Sequence, residues 1–215
     1  MDTYITDRGM VHGALSIHGI NPALLIEKII RERIFETLYW KELCFNLNAA
    51  TLCDRAATLT AIGGQYANQK PTPFLCLVFK LLQIQPSHDI IMEYLNQKEF
   101  KYLRAVAAFY IRLAYPPVKI YTLLEPLLGD YRKLRFRNMG GVTLTYMDQF
   151  IDDLLHEERV CDIALPRLPK RLTLEDAEQL EPREPLIDVS ESESEESEEE
   201  SQDEESEEEG EEDDE

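Results

Sequence analysis

The stretch GGQYANQKPTPFLCLVFKLLQIQP, residues 63–86, decides the fold predicted for this chain. Its second half, residues 73–84, has nine apolar residues in twelve. Thr72 is suited to cap a helix there, and Pro73 is tolerated in a first turn because its missing N–H would be unpaired anyway. A helix that is apolar on nearly every side is either buried or spans a membrane. Twelve residues are far fewer than the roughly twenty needed to cross a bilayer. The stretch therefore predicts a buried central helix.

The rest of the chain predicts helices that pack around this one. Apolar residues recur with helical spacing from Asn21 to Leu38, and residues 48–62 follow with Asn48 as a cap. Further helices are expected at 87–96, 99–114, 117–128, 145–156 and 173–180. We expect an all-α class, a mostly helical single globular domain with about eight to ten helices. The exception is RFRNMGGVTLTY, in which side-chain types alternate around residues 138–141 and predict a small β-hairpin near 135–146.

Charge divides the chain into a neutral body and an acidic tail. Residues 184–215 contain 20 of the 42 acidic residues and none of the 22 basic residues. The preceding part therefore has 42 − 20 = 22 acidic and 22 basic side chains, a formal charge of zero. From residue 190 onward the composition cannot bury enough apolar surface to become ordered. We expect a flexible N-terminus at 1–15, a helical domain at 16–183 and a disordered Ser/Glu-rich tail at 184–215.

Sequence motifs give no indication of an enzyme. The chain lacks a P-loop, a GxSxG elbow, an HExxH helix and a GxGxxG turn. Its four histidines have no spacing that suggests a metal site. Asp152 and Asp153 follow Phe150 and Ile151 on a predicted helix, where solvated carboxylates are the simpler interpretation. We expect no catalytic residues, no metal and no cofactor.

Three surfaces are candidate partner-binding sites, because aromatic and arginine side chains dominate protein interfaces. They are centred on residues 39–40, on the polar loop 65–70 and on one side of the helix 99–114. The candidate residues are Tyr39, Trp40, Tyr66, Lys70, Lys101, Arg104 and Arg112. The simpler alternatives are a structural loop, exposed charges on the helix and, for Trp40, a place in the core, which we favour.

A second basic group precedes and enters the predicted hairpin. It consists of Arg132, Lys133, Arg135 and Arg137, with Tyr131 and Phe136 interleaved. Such a group can contact nucleic-acid phosphates. In a body of zero net charge a solvated surface balanced by neighbouring acids is the favoured alternative.

The tail has a regular pattern of serines. Five of them have Glu three residues later, the pattern that acidophilic kinases favour: Ser190, Ser192, Ser197, Ser201 and Ser206. Phosphorylation would add about −1.5 to −2 charges per site. Two alternatives stay open, a passive solubilising tail and a tail that folds back on the basic groups.

Long blocks of this sequence resemble one known family. They are SIHGINPALLIEKIIRERIFETLYWKELCF (16–45), residues 63–86 as quoted above, EFKYLRAVAAFYIRL (99–113), LEPLLGDYRKLR (124–135) and DQFIDDLLHEERVCDIALPRLPKRLTLEDAEQLEPR (148–183). In this order they resemble the pre-mRNA-splicing factor 38 family, and a fungal-type member most closely. Many animal relatives continue into a long arginine/serine-rich tail, whereas this sequence continues into acidic residues.

The resemblance implies a function that the composition could not indicate. Family members are mostly helical, non-enzymatic scaffolds of the tri-snRNP, and they are needed in the nucleus for spliceosome activation. The implied partners are a microfibrillar-associated-protein-type splicing factor and a zinc-finger splicing protein. The alternative function is an RNA-binding module that uses the basic group at 132–137.

Overall fold

The computed structural model describes residues 15–183. Its α-helices are α1 (Lys28–Glu36), α2 (Ala49–Ala57), α3 (Pro73–Ile84), α4 (His88–Leu95), α5 (Lys101–Ala114), α6 (Pro117–Leu124), α7 (Met147–His156) and α8 (Arg171–Asp176). Short 3-10 helices occur at Pro22–Leu25 and Glu125–Gly129, and a short π-helix at Trp40–Cys44. The strands are β1 (Gln65–Tyr66), β2 (Lys70–Pro71), β3 (Lys133–Asn138), β4 (Gly141–Tyr146), β5 (Arg159–Val160) and β6 (Ile163–Ala164). The predicted fold class, mostly helical with small β structure, is confirmed.

The central helix α3 forms as predicted, with the bounds read from its composition. The Thr72 side chain accepts a hydrogen bond from the Leu75 N–H at 3.3 Å, and Pro73 occupies the first turn. Nine of its twelve residues are buried. It ends at Gln85, whose left-handed backbone (φ 48°) lets its N–H bond to the Leu81 carbonyl at 2.8 Å. This helix is the enclosed element that the other helices surround.

Three phenylalanines connect the central helix to its neighbours. Phe74 of α3 meets Phe109 of α5 edge to face at 5.8 Å, and Phe150 of α7 at 6.2 Å. Phe109 and Phe150 stack on each other at 6.4 Å. Such pairs add about 0.5–1.5 kcal/mol each beyond the area they bury. The core therefore runs continuously from α3 through α5 to α7.

The prediction of one continuous helix over Asn21–Leu38 is wrong, because the structure has two separate helices there. Asn21 caps a 3-10 turn, Pro22–Leu25, and α1 begins only at Lys28 after an extended Ile26. Ile26, Ile30 and Ile34 are buried as the pattern predicts, but α1 ends at Glu36 and Thr37 is extended, so Leu38 lies beyond the helix and is exposed. Glu27 precedes α1, and its carboxylate forms an ion pair with Arg159 at 2.5 Å. The Arg31 guanidinium donates to the Ala23 carbonyl at 2.9 Å.

The predicted hairpin near 135–146 is observed, extended by two residues at its start. Strands β3 and β4 pair antiparallel from Lys133↔Tyr146 to Asn138↔Gly141, which leaves a two-residue turn. Two short hairpins were not predicted, β1–β2 and β5–β6. Each β-sheet of the described residues is a two-stranded hairpin.

Smaller differences concern helix starts in the C-terminal half. Tyr146, not Thr145, precedes α7, and Thr173 lies inside α8, which follows Lys170. Ser87 precedes α4 as predicted but makes no side-chain cap hydrogen bond. The expectations for residues 1–14 and for the tail at 184–215 lie outside the described residues.

Candidate partner-binding surface

The segment of residues 62–72, here called the hub segment, joins two hairpins to the start of α3. The Ile62 N–H donates to the Arg135 carbonyl and the Arg137 N–H donates to the Ile62 carbonyl, both at 2.8 Å. The Gln65 N–H donates to Asp162 Oδ2 at 2.7 Å. The Thr72 hydroxyl donates to the Gly63 carbonyl at 2.6 Å. The hub segment is thereby held against β3 and against the turn between β5 and β6, and the Thr72–Gly63 hydrogen bond joins its two ends.

Two glycines allow this close approach. A Cβ at Gly63 would lie 2.1 Å from the Arg137 carbonyl oxygen, and its φ of +140° is a backbone conformation that other residues rarely adopt. A Cβ at Gly64 would lie 2.2 Å from the Cys161 carbonyl oxygen. Because both clashes are with backbone atoms, no side-chain movement relieves them. The Gly-Gly pair is therefore required by packing against β3 and against the β5–β6 turn.

The tip of the hub segment is exposed and has an unusual backbone. Ala67, Asn68 and Gln69 are consecutive residues with positive φ, at 20°, 53° and 62°. Asn tolerates this region, whereas Ala and Gln adopt it only when the surrounding structure imposes it. Backbone strain of this kind is concentrated at functional sites, so the tip is a candidate recognition element.

The two candidate residues of this loop lie opposite each other in the β1–β2 register. Tyr66 pairs with Lys70. The Arg137 guanidinium lies 3.8 Å from the centroid of the Tyr66 ring, a cation–π contact that fixes the ring. Arg33 Nη1 donates to Gln65 Oε1 at 2.6 Å. Tyr66 is therefore half-buried and held rigidly, while Lys70 is exposed.

Trp40 and its neighbour Tyr39 have different environments. Trp40 is buried against Phe35 at 5.5 Å and Phe79 at 5.2 Å, as expected for a core residue. Tyr39 is half-buried and lines a cavity of about 100 Å³ whose wall also includes Thr72, Pro73 and Arg137. Among the described residues its buried hydroxyl has no hydrogen-bond partner, and burial raises its pKa. The Tyr39 hydroxyl is therefore an enclosed polar atom beside the hub segment and is not presented at the surface.

The candidate residues of α5 do not form one surface. Arg112 is only 3% exposed, and its guanidinium donates to the carbonyls of Leu154 at 2.7 Å and Pro166 at 2.8 Å. Burial lowers its pKa. Local spacing did not predict this, because the covering carbonyls come from segments more than forty residues later. Arg112 stabilises the fold from inside and is not available to a partner.

The other two basic residues of α5 contact the segment that leads into β3. Arg104 forms an ion pair with Asp130 at 2.7 Å, and Lys101 Nζ donates to the Lys133 carbonyl at 2.6 Å. Lys101 is half-buried and in cation–π contact with Tyr102 at 5.4 Å. Both side chains are thus engaged in tertiary contacts.

In the basic group at 132–137, two residues are engaged with other side chains and two are exposed. Arg132 binds the carboxylate of Asp130 with two nitrogens, at 2.7 and 2.6 Å. Burial acts to raise the pKa of Asp130, but hydrogen bonds from Arg132 and Arg104 outweigh it and lower the pKa to about 2. Arg137 is stacked on Tyr66. Lys133 and Arg135 are the exposed members of the group.

Sequence reasoning missed two acidic residues that organise this region. Asp162 receives the Gln65 N–H from a turn in which Cys161 and Asp162 both have positive φ (50° and 62°). Asp130 forms ion pairs with both Arg104 and Arg132. A sequence can show that an Asp lies in a tight turn. It does not show that Asp162 accepts a hydrogen bond from Gln65, almost a hundred residues away.

Neither a metal site nor a membrane helix is present in the described part of the chain. Within residues 15–183 no group of three or more His, Cys, Asp and Glu side chains is placed to hold a metal ion. No helix in that range is long and apolar enough to cross a membrane.

Comparison with known proteins identifies the class of protein to which this fold and surface belong. The model of the PRP38 family matches residues 15–178. The chain is 58% identical over 165 residues to pre-mRNA-splicing factor 38 of Schizosaccharomyces pombe, covering 77% of this chain and 79% of that protein. It is 56% identical over 175 residues to human pre-mRNA-splicing factor 38A, covering 80% of this chain and 56% of that protein. The chain thus spans just over half the length of this vertebrate relative.

A solved structure has the same fold. A chain in the crystal structure of the Snu23–Prp38–MFAP1(217–258) complex of Chaetomium thermophilum superposes with a TM-score of 0.80 at 51% identity, covering 86% of this chain and 98% of that chain. The protein belongs to the PRP38 family of pre-mRNA-splicing factors, and the predicted resemblance is confirmed. These relatives are named as splicing factors and not as enzymes.

Proposed function

We propose that the protein is a non-enzymatic scaffold of the spliceosome that acts in the nucleus. In this role it joins the tri-snRNP and the precatalytic complex and supports spliceosome activation by holding extended segments of other splicing factors. The support is its membership of a splicing-factor family and a body whose polar clusters are used for tertiary contacts.

The observation that carries the proposal is the similarity to the Snu23–Prp38–MFAP1(217–258) complex at 51% identity. At that identity, over 86% of the chain, surfaces as well as fold are expected to be shared. We therefore propose as partners the counterparts of MFAP1 and Snu23. They correspond to the microfibrillar-associated-protein-type factor and the zinc-finger protein that the family resemblance implies.

The hub segment is the surface we propose for one of these partners. It offers Lys70 as an exposed cation and Tyr66 as a rigid aromatic edge. Because Gly63, Gly64 and Thr72 fix this segment, binding here does not require the loop to become ordered first.

The test is a binding measurement on purified full-length protein with recombinant counterparts of MFAP1 and Snu23. Lys70→Glu reverses the exposed charge of the hub segment, and Lys119→Glu makes the same change on α6, where Lys119 is also exposed. We expect Lys70→Glu to weaken one partner by about 1–2 kcal/mol, or roughly five- to thirtyfold, while Lys119→Glu leaves both affinities unchanged. Isothermal titration calorimetry gives the dissociation constants.

Two results would count against this proposal at different levels. Failure of wild-type protein to bind either counterpart would contradict the scaffold function. If neither Lys70→Glu nor Lys119→Glu changes the affinities, the scaffold function would stand, but the hub segment would be rejected as the contact surface.

The alternative function, an RNA-binding module, has less support, because two of the four basic side chains at 132–137 are engaged within the protein. Arg132 is engaged with Asp130 and Arg137 with Tyr66, so Lys133 and Arg135 remain for phosphates. A contact by two cations would give a shallow dependence of log K on log salt, with a slope of about −1.4 for single-stranded RNA. A steeper slope in filter binding that is lost in Arg135→Glu would favour the alternative.

Phosphorylation of the tail is proposed on the sequence pattern alone. The candidate sites are Ser190, Ser192, Ser197, Ser201 and Ser206. Intact-mass spectrometry of protein from nuclear extract measures it directly, and an unmodified mass would reject it.

A further inference from the structure

A groove runs between α6 and the last residues that the structure describes. Its volume is about 720 Å³. One wall is formed by α6 and the 3-10 helix Glu125–Gly129, and the other wall includes residues 179–183. Pockets of about 300–1,000 Å³ hold ligands the size of a drug molecule. The groove is therefore large enough for several side chains of a peptide segment.

Arg171 joins the two walls of this groove. Its Nε donates to the Glu125 carboxylate at 2.6 Å, and its Nη2 donates to the Glu181 carbonyl at 2.9 Å. The Tyr121 hydroxyl of α6 donates to the Pro169 carbonyl at 2.8 Å, just before α8 begins. The walls are thus held together by contacts within the protein itself, and the groove does not need an occupant in order to form.

The groove has a largely apolar lining. Its apolar side chains are Val118, Pro126, Leu128, Leu180 and Pro182. Val118, Leu128 and Leu180 are half-buried, and the two prolines are exposed. Burial of further apolar surface against such a lining is favourable, because it removes both surfaces from water. The groove therefore favours an occupant that has apolar side chains.

The part of the chain that follows the described residues starts beside this groove. Arg183, the last described residue, is one of the residues that line it. The next six residues, 184–189, span at most about 21 Å when extended. The wall that α6 provides is shorter, since its eight residues rise about 12 Å. Residues 184–189 are therefore long enough to run along the whole of α6.

This segment has the sequence EPLIDV, which matches the groove in its pattern of side chains. In an extended segment every second side chain lies on the same side. Pro185, Ile187 and Val189 then form one apolar row, while Leu186 lies on the opposite side. From residue 190 onward the sequence has no apolar side chain. The apolar row is thus the last part of the chain that can bury apolar surface against the body.

Two prolines lower the cost of placing this segment in the groove. Pro182 and Pro185 have a fixed φ, and a residue that precedes a proline is biased towards extended backbone. The sequence of residues 181–185 therefore favours extended backbone before any docking. A segment that is already extended loses less conformational entropy when it binds.

We propose that residues 185–189 of this same chain, here called the strap, lie extended in the groove with Pro185, Ile187 and Val189 against α6 and the 3-10 helix. The strap covers the apolar lining and fixes the point on the body at which the acidic tail begins. Because the strap is part of the same chain, its effective concentration at the groove is high, and a few apolar contacts are enough to hold it. A partner that used this groove would have to displace the strap.

NMR of the full-length protein with labelled methyl groups tests the proposal. In wild-type protein the methyl groups of Ile187 and Val189 are expected to show nuclear Overhauser effects to those of Val118 and Leu128. Ile187→Asp should lower the ratio of docked to undocked strap at least about tenfold, because it replaces an apolar contact with a charge in an apolar groove. The chemical shifts of the Val118 and Leu128 methyl groups measure this ratio.

Leu186→Asp is the matched control for Ile187→Asp. It replaces the neighbouring aliphatic side chain with the same acid, but on the opposite side of the strap. It should therefore leave the methyl shifts of Val118 and Leu128 unchanged. Both substitutions lie outside the described residues, so neither removes a contact within the helical body.

Three results would overturn the proposal. The first is the absence of Overhauser effects between the strap and the groove in wild-type protein. The second is an equal effect of Ile187→Asp and Leu186→Asp, since the apolar row would then not be what docks. The third is the loss of the Overhauser effects on dilution, because the strap in the groove would then come from a second copy of the chain.

Discussion

At the scale of single residues, backbone contacts determine which positions allow no substitution. Gly64 is the clearest case, because its missing Cβ leaves room for the Cys161 carbonyl oxygen. The sequence shows that a Gly-Gly pair precedes α3 but not what approaches it. The approaching backbone comes from a turn almost a hundred residues later.

Gly64→Ala is expected to lower the free energy of unfolding by about 1–3 kcal/mol, because either the hub segment or the β5–β6 turn has to move. Gly129→Ala is the control, since a Cβ there meets no atom within 4 Å. Its effect should stay within about 0.5 kcal/mol. Urea unfolding followed by circular dichroism measures both. Equal stability of the two variants would contradict the packing role of Gly64.

Asp130 gives the protein an acid-sensitive contact. Its pKa is lowered from 3.8 to about 2, so the unfolded chain binds this proton more tightly than the folded protein. The resulting stability is complete above about pH 4 and is lost as pH falls through about 2. This difference between the unfolded and folded pKa of Asp130 corresponds to about 2 kcal/mol in the free energy of unfolding.

Asp130→Asn should therefore destabilise the protein near neutral pH and flatten the fall of stability between about pH 4 and pH 2. Asp176→Asn, at an exposed position of α8, is the control. Urea unfolding at several pH values gives the curves. Parallel curves for wild type and Asp130→Asn would show that the Arg104–Asp130–Arg132 cluster does not contribute.

At the scale of elements, the sequence predicts what is decided locally. The bounds of α3 follow from Thr72, Pro73 and an apolar run, all within one stretch. The β3–β4 hairpin follows from its own alternation and turn. By contrast, β1–β2 and β5–β6 have strands of two residues, too short for a periodic pattern. They are held by contacts between distant segments, such as Gln65 with Asp162, which a local pattern does not contain.

The same limit applied to the candidate site. Exposure of Lys70 and burial of Trp40 were predictable from a polar loop and an aromatic residue in a helical pattern. The burial of Arg112 was not, because only tertiary packing brings the carbonyls of Leu154 and Pro166 over it.

The element-scale prediction concerns the aromatic link from α3 to α5 and α7. Phe74→Ala removes a fully buried ring that contacts Phe109 and Phe150. The expected loss is about 3–5 kcal/mol in the free energy of unfolding. Leu172→Ala, at an exposed position of α8, should cost less than about 0.5 kcal/mol. A small effect of Phe74→Ala in thermal or urea unfolding would mean that α3 is not the enclosed centre of the fold.

At the scale of the whole molecule, a helical body carries the hub segment, which we propose as a partner-binding surface, and the sequence continues into an acidic tail. The hub segment is held by two hairpins and by the start of α3, so the surface is formed before any partner arrives. The family comparison identifies the protein as a member of a splicing-factor family, and the structure shows which of the candidate residues are exposed.

Hydrogen exchange of the full-length protein with and without the MFAP1 counterpart, and separately with the Snu23 counterpart, tests the central claim most directly. We predict that one of the two partners slows exchange in residues 65–70, while α3 exchanges equally slowly in the free and bound protein. Slowing in α3 on binding would contradict a preformed body. Unchanged exchange in residues 65–70 with both partners bound would contradict the hub segment as the contact surface.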